Sequence, residues 1–234
     1  IVVDLTTRAW GIRHSIFPQA PQLELTPALG FKWILVAGIV AAVAVAFIEV
    51  VHRIKKTSES LASRLPIRLF LGGIIVVALW QLTGVDTYLG LGIPTMLQAF
   101  SDPTLPAHTF LLKFAFTVVT IGCGFLGGEV TPLFFMGAAL GNTLGVLLGI
   151  PIDLAAGVTM AALFAAASNT PFALAVMAVE LLGANAFPHV MVVCTLSYLL
   201  TGHRSIYSSQ RIDRSKDGAV LHESKRVGDL TKEE

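Results

Sequence analysis

Hydrophobic positions along this chain fall into long runs, not into the every-second-residue pattern of a half-buried strand. The first run, Leu29–Val51, matches the roughly 20 residues that carry a helix across a bilayer, and it meets His52-Arg53-Ile54-Lys55-Lys56. That basic end is expected on the cytoplasmic side. A second run, Leu65–Leu82, opens at Pro66 and approaches its end with Trp80, an aromatic suited to the membrane interface, so it travels back outward. Beyond it the runs shorten: Ile93–Phe100, Thr109–Phe125, Pro132–Ile150, Leu154–Ala167, Pro171–Leu182 and Phe187–Leu200. Glycine, proline or small polar residues divide them at 90–94, 127–132, 149–151, 168–171, 183–188 and 201–205. These lengths predict partial helices. Irregular backbone at membrane depth is tolerated only inside protein or along a water-filled path, so interrupted helices predict an ion path.

Composition narrows the class. Hydrophobic residues make up 54% and charged residues 13%, with a mean hydropathy of +0.75, whereas a soluble domain is charged at about a quarter of its positions. The expected fold is therefore all-α, a polytopic membrane protein with tilted and discontinuous helices. A net charge of +1 gives no footing for nucleic acid. The charges cluster outside the runs, at Arg53, Lys55, Lys56, Arg64 and Arg68, and in a mixed-sign tail from Arg204 onward. Residues 1–26 read as an extramembrane linker, 27–206 as the transmembrane domain, and 207–234 as a last partial helix with a cytoplasmic tail. The chain opens at Ile1 with no signal-peptide pattern, as expected of the later part of a longer polypeptide. Cys123 and Cys194 lie in apolar stretches with no CxxC or nearby histidine, which predicts buried free thiols.

The most informative stretch is Gly127-Gly128-Glu129-Val130-Thr131-Pro132, directly before the apolar run Leu133–Ile150. It has the make-up of a helix start inside a membrane. Unpaired N–H groups and the positive end of the peptide dipole attract anions there, most strongly where water is scarce. Gly137, Gly141, Gly145 and Gly149 recur every fourth residue and predict a small-residue face against a neighbouring helix. Glu129 has two readings: a complement to the helix dipole that caps free N–H groups, or a carboxylate that is neutral part of the time and carries a proton.

The remaining polar residues read as structure. Glu49 stands four residues before Arg53 and is expected to pair with it, Lys113 to snorkel from the start of its segment, and Glu180 to sit at a wet segment end. His108, His189 and His203 have no HxxxH or HExxH spacing, so neither a metal nor a cofactor is indicated. No GxSxG or HExxH constellation is present, and no enzymatic role is expected. Tyr207, just past the break at 202–205, offers a hydroxyl to a pore or, more plainly, anchors an interface.

Several of these marks, in order, resemble the second half of a CLC-type anion channel or transporter. Gly128-Glu129-Val130-Thr131-Pro132 followed by Gly137-Ala138 resembles that family's GxFxP element, with Val130 where phenylalanine is usual. Gly90-Leu91-Gly92-Ile93-Pro94 is similar to its GSGIP-like element, Asn169-Thr170-Pro171 with Glu180 to its late helix pair, and Ser205-Ile206-Tyr207-Ser208 to the segment with its anion-coordinating tyrosine. The resemblance spans about Leu29 to Arg214 and implies the C-terminal half of an inverted-repeat fold. It further implies that the amides of Glu129 and Val130 and the hydroxyl of Tyr207 bind a halide. The family's gating glutamate, in a GREGP-like motif, has no counterpart here, so the missing N-terminal half is expected to be needed. Glutamate at 129 beside Thr131 resembles the branch that exports fluoride in exchange for protons, which implies anion handling for Glu129 and Thr131 and proton coupling for Glu129. Implied partners are fluoride or chloride, protons, the lipid bilayer and a second copy in a homodimer, in a bacterial inner membrane. A chloride channel or chloride/proton exchanger of the same fold is the alternative. From another class, a truncated chain could have only a structural or assembly role.

Overall fold

The computed structural model describes residues 2–11, 17–214, 216 and 220–227. Among them the chain forms nine α-helices and one two-stranded ribbon. A short helix, α1 (Val2–Ala9), lies inside the expected linker. Next comes α2 (Pro27–Leu61), which begins where Pro27 occupies the first turn and the Thr26 hydroxyl accepts from the Leu29 amide at 3.3 Å. It runs ten residues past the expected end at Val51. The reason is local: residues 52–61 contain neither glycine nor proline, so polarity ends the apolar run without ending the helix. Trp33, Val36, Ala37, Val40, Ala44, Phe47 and Ile48 form its buried stripe at intervals of three and four residues.

A second long helix, α3 (Leu65–Thr83), stops at Gly84, whose φ of 67° is the left-handed conformation that closes a helix. Its only buried residue is Gly72. The 3-10 turn Asp86–Tyr88 leads to α4 (Ile93–Gln98), then α5 (Thr109–Gly122), α6 (Val130–Leu148), α7 (Ile152–Ser168), α8 (Pro171–Leu182) and α9 (Phe187–Leu200). Among the described residues, only α2, α3 and α6 are long and apolar enough to cross a membrane. The shorter apolar helices between and after them give the interrupted architecture expected of this polytopic membrane protein.

At the centre lies α7, with Leu154–Leu163 and Ala165–Ser168 all buried against α2, α6, α8 and α9. Seven of those residues are alanines, which let backbones approach from every side. Against it the α6 glycine face packs as expected: a Cβ on Gly137 would stand 2.7 Å from the Met160 Cα, and one on Gly141 would meet the Ala155 carbonyl. Gly149 departs from the stripe and ends α6 with a φ of 61°.

The expected helix after Tyr207 does not form. A turn at Ser208-Ser209 leads into β1 (Arg211–Arg214), paired antiparallel with β2 (Val220–Arg226). Arg211-Ile212-Asp213-Arg214 and its flanks lack an apolar face at helical spacing, and the period-two pattern suits a ribbon. Two expected polar roles also change. Glu49 pairs at 3.2 Å with Arg204, which follows the end of α9, while Arg53 lines a cavity shared with residues of α3. Lys113 does not snorkel: it is fully buried and donates to the carbonyls of Tyr88 at 3.1 Å and Gly90 at 2.7 Å.

Candidate anion site

The candidate site is built where α5 ends short. Gly122 closes the helix, and residues 124–129 form an irregular turn before Val130 starts α6. Gly124, with a φ of 93°, reverses the chain against the Arg68 side chain. The first hydrogen bond of α6 runs from the Leu133 amide to the Glu129 carbonyl at 3.3 Å. Among the described residues, the amides of Glu129, Val130 and Thr131 donate to no acceptor, and the Glu129 carboxylate makes no capping bond. The capping reading of Glu129 is therefore not realised. Three N–H groups and the positive end of α6 remain open to a ligand. Pro132, which has no N–H, follows them.

Two cavities border this turn. The larger, 670 Å³, is lined by Glu129, His52, Lys55, Ser208, Ser209 and Arg226 together with apolar residues of α2 and the turn. The smaller, 280 Å³, is lined by Gly127, Gly128 and Pro132 together with Lys113, Thr117 and Thr120. Ile121, Phe125, Leu126 and Gly127 border both. The larger cavity is anionic at one residue and cationic at two or more, so its field favours an anion.

Tyr207 enters from the far end of the chain. Ile206 and Ser208, its neighbours, line or border the larger cavity, and the Ile206 amide donates to the Ala167 carbonyl at 2.9 Å, pinning the segment to the end of α7. Burial and the negative charge of Glu129 raise the phenol above its ordinary value, so the two side chains share one electrostatic neighbourhood. The structure thus places Glu129 and the residues on either side of Tyr207 at one cavity, while Val130 and Thr131 follow Glu129 at the start of α6. Val130 and Tyr207 are both exposed, at 38% and 42%.

The comparisons with known proteins bear on this arrangement. The voltage gated chloride channel family matches residues 1–202. The chain belongs to that family. A "Chloride/fluoride channel protein" from Pseudomonas syringae pv. tomato is 40% identical over 98% of this chain and 52% of the relative. A "Voltage-gated ClC-type chloride channel ClcB" from Escherichia coli O9:H4 is 29% identical over 88% of this chain and 50% of the relative. The crystal structure of a CLC-type fluoride/proton antiporter superposes with a TM-score of 0.82 at 32% identity, covering 86% of this chain and 51% of that one. The chain spans about half the length of the relatives it matches.

Within this voltage gated chloride channel fold, two groups of residues escaped the sequence reading. Lys113 faces the smaller cavity, with its ammonium 5.1 Å from the centre of the Phe135 ring. The signal was present: a lysine in Phe110-Leu111-Leu112-Lys113-Phe114-Ala115-Phe116 has apolar neighbours on every side of the helix. The second group surrounds Asn169 and joins residues more than 40 positions apart, which no local pattern reveals.

Proposed function

We propose that this chain supplies the anion-binding half of a fluoride exporter driven by proton entry, working as a homodimer in a bacterial inner membrane. The observation that carries the reading is the open start of α6: three successive unpartnered amides begin at Glu129, which lines one cavity together with Ile206 and Ser208, the neighbours of Tyr207. Fluoride is small and strongly hydrated, so several convergent donors are needed to replace its water. The amides of Glu129, Val130 and Thr131 and the Tyr207 hydroxyl are such donors. Because the phenol is held above its ordinary value, it stays protonated and able to donate throughout the neutral range. Glu129 gives a proton a place to reside beside the anion, and its alternation between charged and neutral forms would couple the two fluxes. The printed names of the relatives, a chloride/fluoride channel protein and a fluoride/proton antiporter, support the same substrate class. The role is transport and not enzymatic catalysis, and the rest of the pathway comes from the other half of the full-length protein.

The test is flux from proteoliposomes containing the full-length protein. Fluoride is expected to leave with matching proton uptake while chloride stays almost untouched, and equal chloride flux would overturn the fluoride assignment. Glu129→Gln is expected to lower coupled fluoride flux by at least about tenfold, the scale of removing one positioned proton carrier. A chloride channel of the same fold instead predicts anion flux largely intact in Glu129→Gln.

A further inference from the structure

Asn169 is the only residue other than glycine with a positive φ among those described, at 59°, and it stands at the left-handed end of α7. Asparagine tolerates that conformation, so its presence needs no special reason. Its side chain does. The carboxamide donates to the Arg204 carbonyl at 3.1 Å and to the Gln210 side-chain oxygen at 3.4 Å, thereby holding both ends of the turn that carries Tyr207. Within that turn the Ser205 hydroxyl donates to the same Gln210 oxygen at 3.0 Å and accepts from the Tyr207 amide at 3.1 Å.

The opposite side of Asn169 is occupied by the tail. Lys216 donates to the Asn169 oxygen at 2.7 Å and to the Tyr198 carbonyl at 2.7 Å, and its ammonium lies 3.9 Å from the centre of the Tyr198 ring. The Lys216 backbone amide donates to His203 Nε2 at 3.0 Å. Drawing an ammonium out of water is costly, and here burial brings its value down to about 8. Two good acceptors and a ring face offset that cost. Two of these three bonds lead to the turn 204–210, one through the Asn169 carboxamide and one through His203 next to Arg204, and the third ties Lys216 to α9.

We propose that Asn169 and Lys216 are positioning residues for Tyr207: the tail lysine fixes the Asn169 carboxamide, which holds the 204–210 turn so that the phenol stands at the α6 helix start. The inference rests on the assignment of Tyr207 as an anion ligand. Its prediction is specific. Loss of either residue loosens the tyrosine and weakens anion binding, but leaves the turnover of a bound ion unchanged.

The experiment compares fluoride transport by full-length protein in proteoliposomes for Asn169→Gly, Lys216→Met, Tyr207→Phe and each clamp variant combined with Tyr207→Phe. Glycine at 169 keeps the left-handed backbone and removes only the carboxamide, and methionine at 216 removes the ammonium while keeping an unbranched side chain of similar length. Each clamp variant is expected to raise the fluoride KM about fivefold, with saturating turnover within about twofold, the scale of one lost hydrogen bond of ordinary strength. On the Tyr207→Phe background the same changes are expected to have no further effect. Lys216→Arg, which keeps a cation and its donors, is expected to recover part of the affinity. A full fivefold effect that persists without the Tyr207 hydroxyl would overturn the proposal, as would unchanged KM in both clamp variants while Tyr207→Phe weakens binding. If Tyr207→Phe itself binds fluoride like the parent, the assignment of the tyrosine fails and this proposal fails with it.

Discussion

Lys113 shows how a single residue changes sign between sequence and structure. A lysine near a helix start was expected to reach water, yet its ammonium turns inward to two carbonyls that α5 itself does not supply. Each such bond is worth about 1.5–3 kcal/mol, enough together to offset a burial penalty of several kcal/mol. Lys113→Met is therefore expected to destabilise the protein by roughly 2–4 kcal/mol by orphaning the Tyr88 and Gly90 carbonyls. Thermal denaturation in detergent, followed by size-exclusion of the survivors, measures this. A midpoint equal to the parent's would mean that the two carbonyls find other donors. Tyr207 supplies the pH prediction at this scale. Its proton is bound more tightly than in a free phenol, so the donor is present below the ordinary value near 10 and is lost only above it. Fluoride affinity is accordingly expected to show no loss assignable to Tyr207 between pH 6 and about 9, as read by titration calorimetry. A fall near pH 8 that disappears in Tyr207→Phe would contradict it.

Among the elements, α8 and α9 keep the bounds read from sequence because Pro171 opens one and Gly183 and Pro188 separate them. Local punctuation was sufficient there. It failed for α2, where a polar extension remained helical, and for the tail, where a helix was expected and a ribbon formed. The helix start at 127–132 was legible because its chemistry is contiguous in the chain. The Asn169 clamp was not, since its members meet only after α7, α9 and the tail have packed. The glycine face of α6 was readable as a period but not as a partner: nothing in the spacing says that α7 covers it. Gly137→Ala puts a methyl 2.7 Å from the Met160 Cα, which belongs to the backbone and cannot swing aside. The helices must part, at an expected cost of about 1–3 kcal/mol. Gly128→Ala meets nothing within 4 Å and is expected to be far milder, so the difference in melting temperature between the two variants checks the packing argument.

At the scale of the molecule, one face stands apart from the packed centre. Along α3, Ile67, Phe70, Ile74 and Val77 are exposed, although the helix is apolar enough to span a membrane. In lipid such a face has no hydrophobic drive toward another protein, so packing alone decides whether it meets lipid or the rest of a full-length transporter. The chain corresponds to about half of each matched relative, and the proposed pathway needs donors from both halves. Liposomes containing this chain alone are expected to show no fluoride efflux above background, while co-expression with the complementary half restores it. Efflux from the isolated chain would show that the ligands named here suffice.

The turn at 124–129 borders two cavities, one lined by Lys55 and Arg226 and the other by Lys113. An ion held at that turn, as proposed, would feel both sets of charges. In the proposed transporter, affinity and sidedness would then belong to different parts of the molecule. If the path runs through both cavities, exchanging their charged residues is expected to reverse the easier direction of passage without altering the turn itself.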